Sequence, residues 1–164
     1  MFSVGDKISY PMHGAGIIQN IEVKDILGEE QQYYILKLPY NDMDIMIPVK
    51  KSTEIGIRPI ISAEEMNQVF VVLCGETTPM PANWNKRQRD NLEKLKSGDI
   101  FKVAEVVRNL VRHEWEKGLS AGEKRMLANA RQILESEMVM VFNISGLQAE
   151  NLVDRAVAGE KISC

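Results

Sequence analysis

The chain has 164 residues, 45% of them hydrophobic and 26% charged, with a formal net charge of -3. This is the balance of an ordinary globular protein, neither disordered nor collagenous. No apolar run is long enough to span a bilayer, and Met1-Phe2-Ser3-Val4-Gly5-Asp6 lacks the regions of a signal peptide, so a cytoplasmic protein is expected. Cys74 and Cys164 are isolated thiols without metal-ligand spacing, and no redox chemistry is indicated.

The first half reads as strands. Lys7 to Tyr10, Ile17 to Val23, Tyr33 to Leu38 and Ile45 to Val49 are rich in β-branched and aromatic residues. His13-Gly14-Ala15-Gly16, Leu27-Gly28-Glu29 and Tyr40-Asn41-Asp42 separate them as turns. Short strands with tight turns predict a small barrel, whose closure would remove most of the free sheet edge. The change from strands to helices falls between Glu54 and Ser62.

The remainder reads as helices with explicit start signals. Ser62-Ala63-Glu64-Glu65 is a capping box ahead of Met66, Val69, Phe70 and Leu73 at helical spacing. Pro79 and Pro81 break the chain, and Asn83 is the N-cap of a helix carrying Trp84 on its first turn. After Ser97-Gly98, an apolar stripe from Ile100 to Trp115 makes Trp115 a core residue. Gly118 ends that helix. Ser120-Ala121-Gly122-Glu123 opens the next, with Met126, Leu127, Ala130, Ile133, Leu134, Met138 and Val141 inward. A last helix, Leu147 to Ala158, begins at Ser145-Gly146-Leu147-Gln148 and is expected to bury Leu147, Val153, Ala156 and Val157.

Charge is unevenly spread. Between Trp84 and Arg131 there are twelve bases and seven acids, a local excess of +5 in an acidic chain, and patch charge rather than net charge governs steering. Trp84 precedes Lys86, Arg87 and Arg89. A flat aromatic beside cations suits a nucleic-acid edge, with the cations answering phosphates. Core packing of Trp84 stands beside that reading, because at 100° per residue it shares the stripe of Leu92 and Leu95. Its place on the first turn lets the ring overhang the bundle even so. Lys124 and Arg125 occupy the first turn of a helix, where the dipole favours anions, so they are either surface cations or the holders of a nearby phosphate. Most other cations after Lys94 read as solvated helix faces, with pairs such as Glu105 and Arg108.

No catalytic or metal constellation is recognisable. Gly14-Ala15-Gly16 lacks the setting of a dinucleotide loop, and His13 and His113 have no partner at metal spacing. A protein without cofactor or enzymatic activity is expected.

Three motifs carry a resemblance that covers nearly the full chain. They are Val4-Gly5-Asp6-Lys7 with Tyr10-Pro11-Met12-His13-Gly14-Ala15-Gly16, then Asn83-Trp84 with the basic residues and Asn91-Leu92-Glu93-Lys94-Leu95, and Leu119-Ser120-Ala121-Gly122-Glu123-Lys124-Arg125-Met126-Leu127. Together they resemble the CarD family of bacterial RNA polymerase-binding transcription factors. The resemblance implies an α+β protein of two domains. Residues 1–56 would form a small Tudor/SH3-like β-barrel that docks on the RNA polymerase β subunit, and residues 61–158 a compact all-α helical domain that touches promoter DNA. It further implies that Trp84 wedges into the minor groove at the upstream fork of the −10 bubble and stabilises the open complex. Lys86, Arg87, Arg89 and Lys124 would contact the DNA backbone. Lys24 matches a basic position used against the polymerase, and Met46 stands where some members carry arginine. A monomer is the simplest assembly. The alternative is a protein–protein adapter on RNA polymerase without a DNA wedge. A free-standing RNA binder would need exposed stacking aromatics among cations on the barrel, where Tyr33 and Tyr34 have Glu29 and Glu30 as neighbours.

Overall fold

A computed structural model describes residues 1–40 and 42–162; the predicted turn residue Asn41 and the thiol of Cys164 lie outside the described residues. The chain forms strands β1 (Lys7–Tyr10), β2 (Gly14–Ile26), β3 (Glu29–Leu38) and β4 (Met43–Pro48). A short helix α1 (Ser52–Ile55) and a two-residue strand β5 (Arg58–Pro59) follow. The remaining helices are α2 (Ala63–Cys74), α3 (Trp84–Lys96), α4 (Ile100–Lys117), α5 (Ala121–Phe142) and α6 (Gly146–Val157).

All strand pairs are antiparallel, in the order β4-β3-β2-β1-β5. The β2–β3 hairpin turns on Leu27 and Gly28, both at positive φ, the pattern of a two-residue turn whose twist suits the flanking strands. The predicted closure is not seen. β4 and β5 stand at opposite ends of the sheet, and among the described residues each is paired on one side only. Ile8, Ile18, Tyr34, Leu36, Leu38 and Ile47 fill one face.

The four predicted helix starts are formed by local chemistry. Ser62, Ser120 and Ser145 each close a full capping box, and Asn83 accepts from the Lys86 N–H. The helices share a second core that includes Phe70, Leu73, Leu95, Leu110, Leu134 and Val153. Trp115 is not in it: the ring is 60% exposed, because the last turn of α4 runs beyond the bundle. Leu147 is likewise 68% exposed, and Ala149 takes the inward place on the first turn of α6.

The two cores meet along a polar seam on α5. The Ala15 N–H donates to Ser136 Oγ at 2.9 Å, and Gln132 Nε2 donates to the His13 carbonyl at 2.8 Å. Arg58 donates to both oxygens of the fully buried Glu137 at 2.8 and 2.9 Å, and the Ile61 N–H donates to the same carboxylate. The Tyr40 hydroxyl donates to Glu135, which Arg131 also holds. The Gly14-Ala15-Gly16 motif is the start of β2, not a turn. Gly14 is at φ 101°, and a Cβ there would lie 2.5 Å from Ser136 Oγ; one at Gly16 would lie 2.5 Å from the Lys37 carbonyl oxygen. Both glycines therefore exist for close approach.

The seam predicts that Arg58→Met, which keeps the stem but leaves the Glu137 charge buried, destabilises the protein by about 3–5 kcal/mol in urea unfolding. A loss under about 1 kcal/mol would mean that water already serves this carboxylate.

Candidate nucleic-acid interface

Trp84 is the first residue of α3, and its indole lies over the first turn of α5. Nε1–H donates to Ser120 Oγ at 3.2 Å. That hydroxyl also accepts from the Glu123 N–H and donates to Glu123 Oε1, so its hydrogen-bonding capacity is filled. Gly122 leaves room beneath the ring: a Cβ there would stand 3.7 Å from Trp84 Cζ2. The ring is 46% exposed. The helical stripe does aim Trp84 the same way as Leu95, yet at the end of α3 that direction meets the rim of α5 rather than the apolar core. One side of the indole is fixed and the other is open.

The flanking cations divide into two kinds. Arg87 is engaged inside the protein: Nε and Nη2 donate to the Glu123 carboxylate at 2.9 and 3.3 Å, and Nη1 donates to the Pro81 and Ala82 carbonyls. This forked pairing fastens α3 to α5 and holds the loop before Trp84. Lys86, Arg89 and Lys124 are exposed, and among the described residues no carboxylate pairs with them. Arg125 joins them. Its Nη2 lies 3.9 Å from the position of a Gly122 Cβ, so it reaches the same point as the indole. Arg125 was not among the residues expected to contact DNA; the Lys-Arg pair on a helix N-terminal turn is its signal in the sequence. Two other bases are internal. Arg108 is buried and donates to the Val72 carbonyl and Thr78 Oγ1, and Arg112 donates to the carbonyls of Leu73, Gly75 and Val157. Arg108 therefore forms no pair with Glu105, which is bridged by Lys94 at 3.5 Å.

On the sheet, the register puts Lys24 and Met46 on one face: Lys24 is opposite Gln31, Met46 is opposite Ile35, and Gln31, Tyr33 and Ile35 alternate along β3. Met46 is 47% exposed on the terminal strand β4, and Lys24 pairs with Glu22 at 3.3 Å. Tyr33 and Tyr34 are both buried, so neither ring is available for base stacking. Among the described residues no group of His, Cys, Asp and Glu could hold a metal ion, and no helix is long and apolar enough to cross a membrane.

Comparison with known proteins fits both halves. The pattern of the CarD-like/TRCF RID domain, an RNA polymerase-interacting domain family, matches residues 2–61. The pattern of the CarD C-terminal domain matches residues 68–154. Together the two patterns are those of a transcription regulator. The chain belongs to the CarD family. It is 40% identical over 151 residues to the Bacillus subtilis (strain 168) protein named "Putative transcription factor YdeB", an alignment covering 92% of this chain and 99% of that protein.

Burial pushes the Glu123 carboxyl up, but the Arg87 hydrogen bonds and charge, with those from Ser120, outweigh it and hold the group below its ordinary value of 4.5. A depressed carboxylate stabilises the fold fully above its unfolded pKa and loses that contribution as pH falls through the folded one. Wild type should therefore lose stability from about pH 4.5 downward, and Glu123→Gln should flatten this part of the acid limb. An unchanged acid limb in thermal melts would show that the Arg87 pair contributes nothing.

Proposed function

We propose that this protein docks on the RNA polymerase β subunit through residues 1–56 and stabilises the promoter open complex through residues 61–158, with Trp84 wedged into the minor groove at the upstream edge of the bubble. The observation that carries the reading is the half-open indole, braced from behind by Ser120 and Gly122 and flanked by unpaired cations. A wedge costs a few kcal/mol of unstacking in intact duplex and much less at a fork where stacking is already interrupted. Trp84 would therefore favour melted over closed promoter, and that difference in affinity shifts the equilibrium. Lys86, Arg89 and Lys124 would meet the backbone directly. Arg87 would act mainly by holding the base of α3 against Glu123. The acidic net charge predicts weak binding to free DNA, compensated by tethering through the sheet. The exposed face with Lys24 and Met46, beside the unpaired edge of β4, suits that tether.

Trp84→Ala should keep polymerase affinity and shorten open-complex lifetime by about tenfold, ~1.4 kcal/mol, within the range of base–aromatic stacking. Its thermodynamic stability should fall by only about 1 kcal/mol, well short of the 3–5 kcal/mol of a buried tryptophan. If both proteins bind polymerase and neither changes the lifetime, the adapter reading replaces the wedge.

A further inference from the structure

The unpaired cations of the helical half are not confined to the neighbourhood of Trp84. Along α3, Lys86, Arg89 and Lys96 fall on one outer stripe, opposite the side that buries Asn91 and Leu95. Lys102, on the first turn of α4, continues it: Lys96 and Lys102 line the same shallow depression, with Glu93, Lys94 and Ser97. Lys96 and Lys102 are exposed and among the described residues have no carboxylate partner, whereas the nearby Lys94 is neutralised by Glu105. Glu93 lies on the stripe, half-buried Asp90 borders it one turn after Lys86, and Asp99 caps α4 three residues before Lys102, so the four cations Lys86, Arg89, Lys96 and Lys102 outnumber the acids of this face by one.

We propose that the promoter duplex upstream of the fork continues along this face, with Lys96 and Lys102 contacting its phosphates at the far end of α3 from Trp84. This rests on reading the helical half as facing the promoter. From Trp84 to Lys96 the helix advances about 18 Å, which at about 3.4 Å per base pair is roughly five base pairs. Beyond Trp84 the stripe carries no exposed aromatic ring, so it lacks the stacking platform of a single-strand site. Separated point charges on flexible stems match a double-stranded backbone read without regard to sequence. The contact would brace the wedge by fixing the direction of α3 relative to the duplex axis.

The test compares two promoter templates with the cognate holoenzyme, one with long upstream duplex and one ending about two base pairs above the fork, a truncation that removes the roughly five-base-pair span given by the rise per residue. On the long template, Lys96→Ala with Lys102→Ala should reduce the factor-dependent gain in lifetime about threefold. The salt dependence of that gain should fall by a slope of about 1.8, two phosphates at about 0.9 each. The paired Lys→Arg substitutions should restore both. On the short template the lysine-to-alanine pair should equal wild type. Equal gains for wild type and the alanine pair on the long template, an equal loss on both templates, or reduced affinity for polymerase without DNA would each overturn the proposal. Trp84→Ala, run in parallel, separates the two readings. If it matches wild type while the lysine pair fails on the long template alone, the wedge falls and the duplex track stands.

Discussion

The arrangement of this protein depends on the middle of one helix. α5 carries Glu135, Ser136 and Glu137 in succession, all buried, where an isolated amphipathic helix would place at least one in water. Buried polar groups must find partners, and here the partners come from the sheet and its connection: Tyr40, the Ala15 N–H, Arg58 and the Ile61 N–H. Directional bonds at that density fix orientation in a way that apolar contact does not. The same helix begins with Ser120 and Glu123, which hold Trp84 and Arg87. A single rigid rod of about 20 Å between Glu123 and Ser136 thus sets where the tryptophan stands relative to the sheet.

That coupling suits a tethered wedge. Were the halves joined by a flexible linker, docking through the sheet would raise the local concentration of the helical half without choosing its orientation. With the seam closed, docking as proposed would also orient the indole, and less entropy would remain to be lost on meeting a fork. The cations follow the same division between scaffold and contact. Arg87, Arg108, Arg112 and Arg131 are absorbed by carboxylates and carbonyls of the fold, while Lys86, Arg89, Lys124 and Arg125 are left to solvent. Arginine forks suit fixed internal geometry, which is why the internal cations named here are all arginines, while the exposed set mixes the two types.

Much of the secondary structure was legible because the signals are local. A serine or asparagine cap and its partner three residues on act within one turn, so Ser62, Asn83, Ser120 and Ser145 could be read directly. The strands around Tyr34 and Ile47 followed from side-chain type, and the +5 segment marked the region of the candidate interface. Trp115 and Leu147 were misread for different reasons. Periodicity reports the direction in which a side chain leaves its helix, not whether anything lies there, and Trp115 keeps the direction of Ala104 and Val111 but stands on the last turn of α4, beyond the packed bundle. Leu147 shares its turn with the buried Ala149 but leaves the helix well away from Val153 and Ala156. The open sheet was missed because strand content does not say whether the first and last strands meet.

By itself, then, the sequence determined where four of the helices start, most of the apolar residues that the helices bury and where positive charge accumulates, since all of these depend on near neighbours in the chain. Only the tertiary structure decided that Gly14 and Gly16 serve close packing, that Glu137 is neutralised by an arginine 79 residues away, and that Arg87 is internal while Lys86 and Arg89 are exposed. The same holds for Trp84, whose direction was already present in the helical stripe. Its exposure was decided by the rim of α5 lying beneath it in place of the core, a matter of how far one helix overhangs another.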